Sequence, residues 1–111
     1  MNIRAFVNDW LSAANAYDMD RWVAYFHPDA TLDDPSVGSS FIGHEGIRRY
    51  FEDYFIGYNT QTKLVKLTVS GETGAHVLVD FTGGFPGGQV GGTFELTFRH
   101  NKIVLAKAEL V

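Results

Sequence analysis

Hydrophobic spacing in this chain switches near residue 60 from a helical period to a strict alternation, and few folds accommodate that switch within 111 residues. Before the switch, Ile3, Phe6, Val7, Trp10, Leu11 and Ala14 recur at three- and four-residue steps, which predicts an amphipathic helix over roughly residues 3–16. Asp18 is placed to cap a second helix carrying Trp22, Val23, Tyr25 and Phe26, with Pro28 as its stop. Ala30-Thr31-Leu32 reads as a short extended piece, Gly38-Ser39-Ser40 as a turn, and Ile47, Tyr50, Phe51, Tyr54 and Phe55 as a third helix. Beyond the switch, strands are expected at about 61–70, 75–83, 89–100 and 102–110. They are separated by Gly71-Glu72-Thr73-Gly74, by a looser Phe85-Pro86-Gly87-Gly88 segment and by Asn101-Lys102. Helices followed by a meander give an α+β class in one domain, residues 1–111.

An apolar content of 45% supplies a core for a domain of this size. The net charge of -4 and the lack of any basic cluster argue against nucleic acid and anionic membranes as partners. With no cysteine there is neither a disulfide nor a thiol nucleophile. Apolar runs fall short of a membrane span, and Met1-Asn2-Ile3-Arg4 opens no signal segment, so a cytoplasmic location is the expectation. The paired glycines at 83–84, 87–88 and 91–92 lack the strand–glycine–helix setting of a phosphate loop. They read as a bent sheet with a flexible hairpin.

The chemistry-bearing residues are carboxylates. Asp33-Asp34 precedes Pro35 at the end of the short extended piece, and Asp80 stands alone in a β-forming run. Alternation turns Asp33 and Asp34 to opposite faces. In the run from His76 to Thr82, one face carries Val77, Val79 and Phe81, and the other His76, Leu78, Asp80 and Thr82. Periodicity alone sends the second set, with Asp80, toward water. Asp34 itself has two readings: a carboxylate bonding nearby N–H groups in a turn, or a proton acceptor in an apolar cavity.

Three stretches carry a family resemblance: Trp10 to Trp22, Phe26 to Pro35, and Gly43 to Phe51 (GHEGIRRYF). They resemble the nuclear transport factor 2-like superfamily, and most closely its SnoaL-like polyketide cyclase group, with ketosteroid isomerase as a relative. The resemblance implies a cone-shaped, curved mixed β-sheet wrapped around the N-terminal helices, with an internal pocket. It implies a homodimer formed through the outer sheet face and no cofactor. It aligns Asp34 with the isomerase's catalytic base, Trp10 with its phenolic oxyanion donor, and the neighbourhood of Phe94 with its protonated-acid donor. It also turns Leu78, Asp80 and Thr82 inward, against the periodicity.

On that basis Asp34 and Asp80 are the candidate catalytic pair. A carboxylate shielded from water accepts a proton more readily near neutral pH, and a second, protonated one can donate to a developing enolate. Trp10, Tyr17, Trp22, Tyr50 and Tyr54 are candidate ligand-binding residues, since aromatic rings with polar tips suit a planar or cyclic ligand; His76 joins them because it shares the strand parity of Asp80, and Phe94 because of its place in the resemblance. The four histidines show no metal-ligand spacing, and no serine sits in a nucleophile elbow. The expected function is cofactor-free isomerase or cyclase chemistry on a hydrophobic carbonyl compound. Its rival is a noncatalytic ligand-binding or dimerisation domain of the same fold.

Overall fold

Asn2 opens the first helix by accepting the Ala5 N–H on its side-chain oxygen at 3.0 Å, and α1 then runs over Ile3–Asn15. The computed structural model describes residues 1–111. Asp18 caps α2, Met19–Ala24, through the Arg21 N–H. This helix ends before Tyr25 and Phe26, so Pro28 is not its stop: Phe26 already belongs to β1, Phe26–Asp34. A single 3₁₀ turn, Pro35–Val37, leads into β2, Ser39–Ile42. Next come α3, Gly43–Phe51, and a π-helical turn, Glu52–Ile56. The second half is the expected meander: β3 Gln61–Ser70, β4 Gly74–Thr82, β5 Gln89–Arg99 and β6 Lys102–Leu110.

The strands form one mixed sheet in the order β2-β1-β6-β5-β4-β3, with β1 and β6 parallel and every other pair antiparallel. The expectation of a cone-shaped sheet wrapped around the helices is not met. The sheet is open: β2, only four residues long, is one edge and β3 the other, and no ladder joins them. The helices cover one face. On that face β4 buries Ala75, Val77 and Val79, β5 buries Phe94, Leu96 and Phe98, and β1 buries Ala30 and Leu32. Asn15, at the end of α1, clamps the start of β3: its amide donates to the Thr62 carbonyl at 2.9 Å and its oxygen accepts the Thr62 N–H at 2.7 Å.

Aromatic side chains fill the deep part of the space between helices and sheet. Trp10 stacks on Trp22 with ring centroids 5.7 Å apart and meets Phe94 edge-on at 5.2 Å. Trp22 also packs on Phe51 at 4.7 Å. One glycine makes part of this packing possible. A Cβ on Gly92 would lie 2.4 Å from the Phe81 ring, so the bare backbone of β5 is what lets Phe81 lie across it. No helix is long and apolar enough to cross a membrane.

Candidate active site

The alternation that buries Ala30 and Leu32 in β1 also turns Asp34 to the helix-covered face, where it is only 6% exposed. It is the last residue of the strand. The Pro35 turn brings Ser36 back onto its carboxylate, and Oδ1 accepts the Ser36 hydroxyl at 2.6 Å and the Ser36 N–H at 3.0 Å. Oδ2 accepts the Tyr50 hydroxyl, delivered from α3, at 2.7 Å. The local-turn reading of Asp34 is therefore correct for one oxygen. The other oxygen makes a long-range bond that the turn does not require. Burial above all, then the charge of Asp34 and the hydrogen bond to it, push the Tyr50 phenol well above its ordinary range. Tyr50 is thus a standing donor.

Asp34 and Tyr50 lie at the floor of a cleft of about 250 Å³ at the end of the sheet where β1 and β6 finish. The π-helical turn and the residues after it form one wall, with Tyr54, Phe55 and Tyr58. The widened turn closes with the Gly57 N–H bonding the Glu52 carbonyl at 2.8 Å, and the Thr60 hydroxyl bonds the Tyr54 carbonyl at 2.8 Å. Opposite stand Phe81 at the end of β4 and Phe85 and Val90 around the glycine-rich hairpin. That hairpin is tied to the tyrosine wall, because Gly84 donates its N–H to the Tyr58 carbonyl at 2.7 Å and Phe85 meets the Tyr58 ring edge-on at 5.9 Å. The lining is mostly apolar, and Asp34 is its only acid; it holds no lysine, arginine or histidine. Tyr54 and Tyr58 line the cleft, and neither hydroxyl bonds a protein acceptor.

Of the residues singled out from sequence, the structure brings Asp34, Tyr50 and Tyr54 together. Trp10, Trp22 and Phe94 are fully enclosed in the core and do not line the cleft. The Trp10 indole N–H, aligned by family resemblance with an oxyanion donor, is buried with no partner and out of reach of a ligand there. Tyr17 lies away at the α1–β3 junction, where its hydroxyl accepts from Gln61 at 2.9 Å. Asp80 and His76 share the outer face of β4. Asp80 lies opposite Lys63 of β3, and His76 is paired with Glu95 of β5. Periodicity had this face right and the family alignment did not, so the two carboxylates do not converge. Ser36, Phe81 and Phe85 were missed as site residues. The Asp-Pro-Ser turn and the shared parity of Phe81 with Val77 and Val79 were the signals that could have found the first two.

The family model of the SnoaL-like domain matches residues 7–106, nearly the whole chain. The chain belongs to the SnoaL-like domain family. It thereby falls within the nuclear transport factor 2-like superfamily, together with ketosteroid isomerase-like folds. Among solved structures it is similar to a candidate polyketide cyclase from Sinorhizobium meliloti, at 26% identity and a TM-score of 0.85 over 94% of this chain and 93% of that one. It is similar to Bal32a, from a soil-derived mobile gene cassette, at 18% identity and a TM-score of 0.86 over 96% and 87% of the two chains. It also resembles SalBIII, an epoxide hydrolase/cyclase-like enzyme in pyran ring formation of the polyether salinomycin, at 17% identity and a TM-score of 0.84 over 97% and 89%. The last two likenesses concern fold. No curated protein matches the sequence.

Proposed function

We propose that this SnoaL-like domain is a small cofactor-free enzyme of the isomerase or cyclase type, moving a proton on an apolar carbonyl compound held in the Asp34 cleft. The observation that carries this reading is a buried carboxylate, fixed by Ser36 and Tyr50, opening onto an apolar cleft beside unbonded tyrosine hydroxyls. The candidate polyketide cyclase and the cyclase-like SalBIII support the same class of chemistry.

In this reading Asp34 takes a proton from the carbon next to the carbonyl, and the electron pair moves into an enolate. The Tyr54 hydroxyl donates to the enolate oxygen, the task that Trp10 and Asp80 are not placed to perform. Returning the proton to a different carbon completes an isomerisation, while attack of the enolate carbon on a second carbonyl of the same molecule closes a ring, the attacked C=O π bond opening onto its oxygen, which takes the proton back from Asp34. Tyr50 is a positioning residue here, since its proton is engaged on Oδ2. The test is exchange of the acidic protons of a cyclic ketone such as 2-tetralone in deuterated water, followed by proton NMR. Wild type is expected to accelerate exchange, Asp34→Asn to lose about a hundredfold or more, and Asp80→Asn to match wild type. Equal rates for wild type and Asp34→Asn exclude Asp34 as the base and leave the cleft a noncatalytic binding site.

The reading includes a homodimer. The outer sheet face carries no helix and presents Lys63 beside Asp80 and Glu95 beside Lys107, charges of both signs that a second copy can meet with its own. Light scattering on the eluting protein is expected to give twice the 12.4 kDa chain mass; a mass of one chain removes this part.

A further inference from the structure

We propose that the cleft is a receptor site for a small alkylated ammonium group, its positive charge set against Asp34 and its alkyl carbons against the aromatic walls. The proposal uses the same cleft as the functional reading above, but it draws on the charge and shape of that cleft and not on turnover.

Charge comes first. Asp34 is the only acid facing the cavity, and no protein cation faces it there. Its three partners are neutral donors: the Ser36 hydroxyl, the Ser36 N–H and the Tyr50 hydroxyl. A charge in a poorly hydrated pocket interacts far more strongly with a counter-charge than it does in water. A ligand bearing a carboxylate or phosphate meets repulsion here and finds no basic side chain to offset it. A ligand cation meets the reverse.

Lone pairs come second. An ionised carboxylate offers about four acceptor positions, and protein donors occupy three of them. Oδ1 is doubly engaged, whereas Oδ2 accepts only from Tyr50 and keeps one position open. An ammonium N–H, or a hydroxyl carried beside a quaternary nitrogen, fits that position.

The walls come third. Tyr50 and Tyr54 have ring centroids 5.3 Å apart, Tyr50 and Phe55 6.1 Å, and Phe55 and Phe81 6.1 Å, so rings follow one another from the floor up the walls. Aromatic rings attract alkylated ammonium groups and also remove their alkyl surface from water. The cavity, at about 250 Å³, is smaller than the ~300–1,000 Å³ usual for drug-sized ligands, which limits the guest to a small, compact molecule.

Isothermal titration of the intact protein with choline and with its neutral isostere, 3,3-dimethylbutan-1-ol, tests the proposal. The two differ chiefly in charge. Choline is expected to bind roughly tenfold or more tightly, and the gap is expected to collapse in Asp34→Asn. Tyr54→Leu, at a half-buried wall position, serves if Asp34→Asn does not fold, and it should weaken choline more than the alcohol. Equal affinities, a preference for the alcohol, or no choline binding at tens of millimolar overturns the proposal. If the preference for choline is missing while 2-tetralone exchange survives, only this inference falls. If exchange is missing while the preference survives, only the catalytic reading falls.

Discussion

Asp34 and Tyr50 form the pair on which the site depends, and each constrains the other. Tyr50→Phe removes one donor from a buried carboxylate while keeping the ring packing. It is expected to cost about 1.5–3 kcal/mol in urea unfolding, the range for a hydrogen bond to a charged group. The same phenol sets an alkaline limit. Its folded-state proton is held above the unfolded value of 10.0, so as pH rises past that value the unfolded chain releases the proton while the native chain keeps it. The contribution of Tyr50 is therefore complete below about pH 10 and is lost as pH climbs toward the folded value. Thermal melts between pH 8 and 11 should fall more steeply for wild type than for Tyr50→Phe, and parallel curves contradict the assignment. Asp34 was legible in the sequence because it ends an alternating run before a proline. Tyr50 was legible as an aromatic on a helical stripe, but not as a donor to that aspartate, since sixteen residues and a strand reversal separate them. Asp80 shows the opposite balance, with local alternation giving its face and homology misleading.

The helices and strands followed the spacing where local pattern and tertiary pairing agreed. They diverged where the sheet claimed a residue first. Phe26 fits the helical stripe of α2, yet it pairs with Ile103 in the parallel β1–β6 ladder, and the Tyr25 carbonyl accepts the Ile103 N–H at 3.0 Å. A ladder partner 77 residues away leaves no mark on local periodicity. The π-helical turn was invisible for a different reason: Phe51, Tyr54 and Phe55 keep spacings that an α-helix and a π-turn both satisfy. That turn is tight enough to test. A Cβ on Gly57 would lie 2.5 Å from the Asp53 carbonyl oxygen, a backbone atom that cannot simply swing away. Gly57→Ala is expected to destabilise the fold by about 1–3 kcal/mol in denaturant unfolding and to disturb the Tyr54–Tyr58 wall. Stability equal to wild type would mean that the turn relaxes without cost.

Across the whole molecule, the alternation and period switch identified an α+β domain, and the six-stranded mixed sheet with helices on one face bears that out. They carried no information on whether the sheet closes, because closure depends on how two edge strands distant in sequence are placed. Large aromatics decided where the remaining space lies. Trp10 and Trp22 were read as pocket walls because of their size and polar tips, and Phe94 because of its place in the family resemblance, but the size of all three lets them fill the deep space completely. The cleft survives only near the sheet end, between the tyrosine wall and the glycine-rich hairpin. The central claim is that a ligand meets Asp34 there. A crystal structure of the protein soaked with 2-tetralone tests it most directly. The ketone is expected between Tyr54 and Phe81, its oxygen within hydrogen-bond distance of the Tyr54 hydroxyl and its acidic carbon facing Asp34 Oδ2. Density on the outer face near Asp80, or a guest that enters only by displacing Trp10, would contradict the account.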